Sequence, residues 1–361
     1  MAAPPAAPSL ATRAIHADDV LTSAAPTDLP YIYSRHQAPS ATRLEQILTS
    51  LLDGHATTYT SGLAAFHALL IHTNPKRLAM SECYHGCHAL AAIFSRLTGM
   101  VKIPLDTPAA DLLPGDLVHL ETPLNPFGTA SSIAVYASRA HAAGALLSVD
   151  ATFAPPPLQN PFLHGADYVL HSATKYLGGH SDLLGGVLVT RDAATAGKLR
   201  EERSYIGSVM GGLESWLGLR SVRTLELRVE RQSASATRLA GWLHGLVGSD
   251  GVVGKVVKEV THASLQVQEP WLVSQMPRGF GPVFAIRMGT REQAKTLPSR
   301  LRYFLHATSL GGVESLVEWR AMSDMTVDPT IVRVSVGCEA WEDLRDDLER
   351  GLREIAGMAL G

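Results

Sequence analysis

The chain has 361 residues, enough for about two domains of ordinary size. Hydrophobic residues make up 46% of the chain, so it can bury a large core, and the formal net charge is −3. Because no basic excess is available to neutralise phosphates, this balance argues against nucleic-acid binding. No apolar run approaches the ~18 residues that a bilayer span requires. The three cysteines are too few for a disulfide framework, and we expect a cytoplasmic protein.

Residues 1–30 are rich in Ala and Pro and predict a flexible tail. From about residue 42, apolar side chains at helical spacing predict a first helix, which Gly54 ends. Short apolar runs then alternate with helical segments, and these runs span residues 78–82, 100–105, 116–122, 145–150, 166–172 and 185–191. This alternation predicts βαβ units and a mostly parallel sheet that is buried on both faces.

The pattern changes after about residue 230, where the apolar runs become fewer. Two of them, residues 282–288 and 330–336, predict strands. The last segment predicts an amphipathic helix with one apolar face, formed by Trp341, Leu344, Leu348, Leu352 and Ile355. We therefore predict a tail and arm over residues 1–41, a large domain over 42–230 and a smaller α+β domain over 231–361.

The residues with the most informative chemistry follow two of the predicted strands. Asp150 ends the run at 145–150, and Lys175 comes shortly after the run at 166–172, flanked by the hydroxyls of Ser172 and Thr174. Ligands bind beyond the carboxyl ends of strands in open α/β sheets, so this carboxylate and amine can face one crevice. A lysine in an apolar pocket can form a Schiff base, and a buried Asp can keep a pyridinium nitrogen protonated. Alone, the S-x-T-K motif more often belongs to a surface turn with a solvated lysine.

Longer motifs surround these residues. They are Val149–Phe153, Ser172–Gly186, YSR (33–35), TSGLAA (60–65), ECYHG (82–86), ETPLNP (121–126), SLGGVESL (309–316) and VRVSVG (332–337). In this order they resemble the Cys/Met-metabolism family of pyridoxal-phosphate enzymes, which includes cystathionine γ-synthase, the cystathionine lyases, methionine γ-lyase and O-acetylhomoserine sulfhydrylase. The resemblance implies the α/β fold of fold-type-I, aspartate aminotransferase-like enzymes: a large domain with a mostly parallel sheet, and a smaller C-terminal α+β domain.

The same resemblance implies pyridoxal 5'-phosphate as the cofactor, with no metal. Lys175 would carry the cofactor and shuttle protons, Asp150 would pair with its pyridinium nitrogen, and Tyr84 would stack on its ring. Further cofactor contacts are implied for Gly62, Leu63, Thr152, Ser172 and Thr174, and for Tyr33 and Arg35, which would reach the phosphate of a neighbouring subunit. An amino-acid substrate would be bound by Arg333, Asn125 and Ser309.

The implied reaction is γ-replacement on an O-activated homoserine, as in cystathionine γ-synthase. The alternatives are β/γ-elimination, as in the cystathionine and methionine lyases, and a specialised γ-substitution with an unusual nucleophile. The intact Lys175, Asp150, Tyr84 and Arg333 argue against a non-catalytic relative. We expect a homodimer or homotetramer with shared active sites.

Several positions depart from the family pattern. Ala151 stands where the family has Asn, and Asp324 stands where His commonly ends the M-T-H motif. The segment after SLGGVESL is Val317-Glu318-Trp319-Arg320 rather than the family's usual His-Pro. Many members that handle cystathionine carry Glu directly before the serine of SLGG, where this chain has Thr308. We interpret Thr308 as weakening a preference for a cationic distal amine.

Two clusters of reactive or charged side chains have simpler interpretations. One could ligate a soft metal but lacks a second pair at zinc-finger spacing, so we interpret its members as wall residues: Cys83, His85, Cys87 and His88. The other is a basic run interleaved with Glu226 and Glu230, and it predicts a salt-bridged helix face at a subunit contact: Arg220, Arg223, Arg228 and Arg231.

Overall fold

A computed structural model of the chain describes residue 31 and residues 33–358. The segment predicted as a flexible tail, residues 1–30, lies outside the described residues. The first described helix, α1 (Pro39–Leu51), corresponds to the predicted first helix. Within the described ranges, no helix combines the length and the apolar character that crossing a membrane would require.

A seven-stranded sheet lies at the centre of the large domain. Its strands are β1 (His55–Tyr59), β2 (Arg77–Ala79), β3 (Val101–Ile103), β4 (Leu117–Glu121), β5 (Leu146–Asp150), β6 (Tyr168–Ser172) and β7 (Gly186–Thr190). They are ordered β1-β7-β6-β5-β4-β2-β3, and only β7 runs antiparallel to its neighbours. The mostly parallel sheet is therefore confirmed. The sequence analysis missed β1, because HATTY lacks an apolar run although four of its five residues are buried.

Helices and short 3-10 turns surround this sheet. They are α2 (Gly62–Thr73), α3 (His85–Thr98), α4 (Ile133–Ala142), α5 (Ala193–Ile206) and α6 (Gly212–Ser221), with 3-10 helices at Ala109–Asp111, Pro161–His164 and Val222–Thr224. Three of the helices begin after a side chain that accepts a hydrogen bond from the first turn, namely Ser61, Ser132 and Asp192. Such caps satisfy N–H groups that have no partner within the helix.

The smaller domain contains a five-stranded sheet in the order β10-β11-β12-β9-β8. Its strands are β8 (Val257–Thr261), β9 (Val283–Met288), β10 (Leu305–His306), β11 (Leu316–Trp319) and β12 (Ile331–Ser335). Its helices are α7 (Leu225–Leu246), α8 (Val252–Val256), α10 (Arg291–Thr296) and α11 (Trp341–Met358), with 3-10 helices at Leu297–Arg300 and Arg320–Met322. Helix α9 (Leu272–Gln275) and the 3-10 helix Ala263–Leu265 lie between β8 and β9 in the chain, but Leu272 and Ala263 are buried in the core of the large domain. Helix α11 buries the predicted apolar face against this sheet, through Leu344, Leu348, Leu352 and Ile355.

Helix α7 connects the two domain cores. Leu225 and Val229 pack in the core of the large domain, whereas Leu239 and Leu243 pack in the core of the small one. The helix is continuous through residue 230, so the boundary predicted there falls inside one helix and stays a prediction.

A buried ion pair attaches α1 to the edge strand β1. The Glu45 carboxylate accepts hydrogen bonds from the backbone N–H and the hydroxyl of Thr58, at 3.0 and 2.8 Å. Arg203 of α5 approaches the same carboxylate at 2.5 Å and donates to the Thr58 carbonyl at 2.7 Å. Because both charged groups are buried, each needs the other, and the pair holds three elements together.

The salt-bridged helix face predicted for the basic run is wrong in its central part. Arg228 is buried and donates to the carbonyls of Tyr176 and Ser221, both at 3.0 Å. Glu226 and Glu230 instead pair with Arg278, which is remote in sequence. Arg228 therefore pairs with backbone carbonyls rather than with the neighbouring acidic residues, and its place at a subunit contact stays a prediction.

Candidate active site

Three parallel strands end at one edge of the large sheet, and a cavity of about 530 Å³ opens there. Strands β4, β5 and β6 end with Glu121, Asp150 and Ser172. Ligand sites of open α/β sheets occur at such edges. Eleven of the residues predicted from the sequence line this cavity: Gly62, Leu63, Tyr84, Asn125, Asp150, Thr152, Ser172, Thr174, Lys175, Ser309 and Arg333.

The amine of Lys175 lies between the two domains. Its Nζ donates to the hydroxyl of Ser309, in the small domain, at 3.2 Å. Burial, reinforced by the positive charge of Arg333 and opposed by the charge of Glu318, lowers the pKa of Lys175 to about 8. A large share of this lysine is therefore neutral in mildly alkaline solution, as a base or nucleophile must be.

Asp150 is a buried carboxyl group with two donors from one residue. The backbone N–H and the hydroxyl of Thr152 donate to its Oδ1, at 2.9 and 2.6 Å. Burial raises the pKa of Asp150 to about 6, although these two hydrogen bonds favour the ionised form. The Thr152 hydroxyl in turn accepts from the N–H of Ser172 at 2.8 Å, which connects the ends of β5 and β6.

Glu121 is a site residue that the sequence analysis missed. Its two carboxylate oxygens accept hydrogen bonds from the backbone N–H groups of Tyr84, at 2.7 Å, and Asn125, at 2.8 Å. Burial, reinforced by the charge of Asp150, raises the pKa of Glu121 to about 8, against the effect of the two hydrogen bonds. The sequence did contain a signal for this residue, because Glu121 is an acidic residue at the end of an apolar strand.

The N-terminus of α2 forms the part of the wall that suits an anion. The N–H groups of Gly62 and Leu63 lie in the first turn, where they have no acceptor within the helix. The helix approaches Ser172 so closely that a Cβ on Gly62 would lie 3.1 Å from the Ser172 Cβ. Free N–H groups at the positive end of a helix dipole, beside a hydroxyl, fit a phosphate group.

Arg333 connects the cavity to the small domain. It is buried in β12, and its guanidinium donates to the Asn125 side-chain oxygen at 3.1 Å and to the Ser309 carbonyl at 3.0 Å. Glu318 pairs with it at 2.7 Å. Burial lowers the pKa of Arg333 to about 10, and the Glu318 charge opposes this shift. A buried guanidinium of this kind can bind a carboxylate through two parallel hydrogen bonds.

Two of the predicted residues do not line the cavity. Arg35 donates to the carbonyl of Ser204 at 2.6 Å, and its guanidinium lies 5.0 Å from the centre of the Tyr33 ring. Their predicted contact with a neighbouring subunit stays a prediction. Thr174 does line the cavity, but its hydroxyl is already engaged by the backbone of Gly185, donating at 3.3 Å and accepting at 3.1 Å.

The cavity wall includes further polar residues to which the sequence analysis gave no role, namely Ser61, Thr308, Arg320 and Ser323. Thr308 and Arg320 were noticed only as departures from a motif. Their location was not predictable from spacing, because Thr308 lies in a bend after β10 and Arg320 begins the short 3-10 helix after β11.

Comparisons with known proteins show the family of this chain. A family model described as Cys/Met metabolism PLP-dependent enzyme matches residues 6–353. The chain is 33% identical to a cystathionine β-lyase of Lactococcus lactis subsp. cremoris over 90% of this chain and 89% of that protein. It is 35% identical to a cystathionine γ-synthase of Mycobacterium tuberculosis over 89% of this chain and 86% of that protein.

The fold is likewise similar to that of a solved relative. The crystal structure of a methionine γ-lyase from Micromonospora echinospora superposes with a TM-score of 0.83 and 34% sequence identity, covering 97% of this chain and 93% of that one. The fold-type-I architecture is therefore confirmed, as is the resemblance on which it was predicted.

The raised pKa of Glu121 makes a testable difference to stability. Between its ordinary value of 4.5 and its folded value of about 8, the folded protein holds a proton that the unfolded chain has released. Stability therefore falls as the pH rises through this window, by up to about 1.4 kcal/mol per pH unit from this group. We expect Glu121→Gln to flatten that slope in denaturant unfolding between about pH 5 and pH 8. Glu342→Gln, at an exposed position, is the control, and equal slopes in Glu121→Gln and wild type would contradict the assignment.

Proposed function

Because the chain belongs to the Cys/Met metabolism family of PLP-dependent enzymes, we propose that it catalyses γ-replacement on an O-activated homoserine. As a member of this family it is a PLP-dependent transferase or carbon–sulfur lyase that acts on an amino acid. The choice of replacement over elimination is our proposal.

The observation that supports replacement is a second cavity, of about 290 Å³, beside the first. The two cavities share His85, Asn125 and Arg320 as wall residues. A replacement reaction needs a nucleophile next to the amino-acid substrate, and adjoining cavities offer space for both reactants. An elimination from a short amino acid such as methionine needs space for that molecule only, whereas cystathionine would extend into both cavities in either reaction.

The residues of the large cavity fit pyridoxal phosphate. When bound, the cofactor supplies an electron sink for the carbons of the substrate. We assign its phosphate to the N–H groups of Gly62 and Leu63 and to the Ser172 hydroxyl, and its ring nitrogen to Asp150. Tyr84, which is 40% exposed in the single chain, would cover the ring.

Lys175 is the proposed proton carrier. Its pKa of about 8 leaves Nζ able to take a proton from the substrate Cα, to give that proton up again, and then to take another from Cβ. The Ser309 hydroxyl restrains Nζ at 3.2 Å, which limits the atoms that it can reach. Arg333 would bind the substrate α-carboxylate and Asn125 would orient it, while the Tyr84 hydroxyl would donate a proton toward the leaving group.

Elimination is the second candidate. The β-lyase and the methionine γ-lyase among the relatives are named for such reactions. The same lysine and arginine would begin either reaction, so product analysis separates them better than any substitution.

We also propose a homodimer, alone or paired into a tetramer, with active sites shared between subunits. Tyr33 and Arg35 lie on the surface of the single chain, at the end of the segment that precedes α1. An arm in this position can reach the cofactor phosphate of a neighbouring subunit.

Product analysis tests the proposed reaction. We expect O-acetylhomoserine or O-succinylhomoserine to give a thioether when cysteine is added, in larger amount than a 2-oxo acid. If cystathionine or methionine is instead converted into a thiol, a 2-oxo acid and ammonia while no thioether forms from the esters, the lyase alternative is correct.

Lys175→Ala tests the attachment of the cofactor. We expect the variant to fold but to lose turnover, and borohydride should no longer attach pyridoxal phosphate covalently, as measured by mass spectrometry. Lys198→Ala, at an exposed position on α5, should retain both properties. Covalent labelling of the Lys175→Ala variant at the wild-type level would refute the assignment.

A complementation experiment tests the shared site. Mixed dimers of Arg35→Ala and Lys175→Ala chains should contain one site with both residues and one with neither. Random exchange of equal amounts should therefore restore about a quarter of wild-type activity. Absence of recovery in proven mixed dimers would place Arg35 outside the neighbour's site.

A further inference from the structure

Arg320 carries a buried positive charge that its neighbours only partly balance. Its side chain is almost fully buried, and Nη1 donates to both carboxylate oxygens of Glu318, at 3.1 and 3.0 Å, and to the Ser323 hydroxyl at 3.0 Å. The same Glu318 carboxylate also pairs with Arg333, at 2.7 Å. Two guanidinium groups therefore share one buried carboxylate, and the second positive charge is balanced only at longer range, by the Asp324 carboxylate 3.7 Å from Nη2 of Arg320.

The remaining donors of Arg320 lack good partners. Its Nη2 lies 3.7 Å from the Asp324 carboxylate, too far for a hydrogen bond. Its Nε is buried and has no hydrogen-bond partner among the described residues. A buried guanidinium with unused N–H groups is costly unless an oxygen ligand satisfies them.

The location of Arg320 suggests that ligand. It contributes to the walls of both the large cavity and the adjoining one. Arg333, with which it shares Glu318, is the group proposed for the α-carboxylate. An elongated substrate in the large cavity thus meets a second guanidinium in the direction of the adjoining cavity.

We propose that Arg320 binds a second carboxylate of the substrate, remote from the α-carboxylate, and so selects substrates that carry a distal carboxylate. This inference rests on the proposed function for the substrate class, but not on the choice between replacement and elimination. The carboxylate can belong to a succinyl ester or to the second amino-acid half of a thioether. Asp324 and Asp328 on the wall of the adjoining cavity would favour the second source, in which an ammonium group accompanies the carboxylate.

Two matched pairs of substrates test the selection. O-succinylhomoserine and O-acetylhomoserine differ in a terminal carboxylate, and cystathionine and methionine differ in the charged far end. We expect Arg320→Gln to lower kcat/KM by about 10- to 150-fold for the member of a pair that carries the distal carboxylate. The member without that carboxylate should change little. Arg320→Lys should retain part of the preference. The pair that responds identifies the source of the carboxylate.

A structural role for Arg320 gives a different result. If loss of its charge only displaced Glu318 and Arg333, both members of each pair would lose activity equally, and the proposal would be overturned. Arg203→Gln is the matched control, since it also removes a buried guanidinium from a buried glutamate, but at a distance from the cavity. It should leave the ratio within each pair unchanged.

A binding measurement separates this inference from the proposed function. Calorimetric titration of the holoenzyme compares L-2-aminoadipate, which has a distal carboxylate, with L-norleucine, which has none. We expect the wild type to bind aminoadipate about 10-fold or more tightly than norleucine, and Arg320→Gln to lose that difference. A preference that is absent from the wild type, or that survives in the variant, refutes the role of Arg320 whether or not any ester or thioether is turned over.

Discussion

Two buried carboxyl groups lie side by side because β4 and β5 pair in parallel with Glu121 opposite Asp150. Like charges in a buried site repel, so the ionisation of one group is opposed by the other. Their pKa values, about 8 for Glu121 and about 6 for Asp150, leave the negative charge on Asp150 near neutral pH. Glu121 still accepts hydrogen bonds from the backbone N–H groups of Tyr84 and Asn125, and these bonds hold both residues in position. The strand register thus places two carboxyl groups side by side, and their different pKa values give them different roles: Glu121 holds backbone groups in position, and Asp150 carries the charge.

The small domain completes the cavity through a close backbone contact. Gly311 has a φ of +85°, and a Cβ there would lie 2.9 Å from the carbonyl carbon of Lys175 and from the N atom of Tyr176. Only glycine allows this approach without strain. Because the loop lies against the backbone of Lys175, the preceding Ser309 reaches the lysine amine and presents its carbonyl to Arg333.

Local sequence was sufficient to predict that residues in contiguous motifs, such as Lys175 with its flanking hydroxyls, lie together at one cavity. It was also sufficient to predict the alternation of strands and helices. It was insufficient where a position depends on pairing between strands. Glu121 acquires its significance from lying opposite Asp150, and Glu318 from lying opposite Arg333 on β12. Register is determined by the packing of whole strand faces, which a short motif does not contain.

The contacts divide the cavity wall into two connected groups. Asp150 is linked through Thr152 to Ser172, which lies against the start of α2, whereas Lys175 is linked through Ser309 to Arg333. The first group offers a carboxylate beside anion-binding N–H groups, and the second offers two cations. The charge of Arg333 helps to hold the pKa of Lys175 near 8. Under the roles proposed above, a carboxylate bound to Arg333 would offset that charge and raise the pKa of Lys175, so the arrival of an amino acid would make the amine a stronger base.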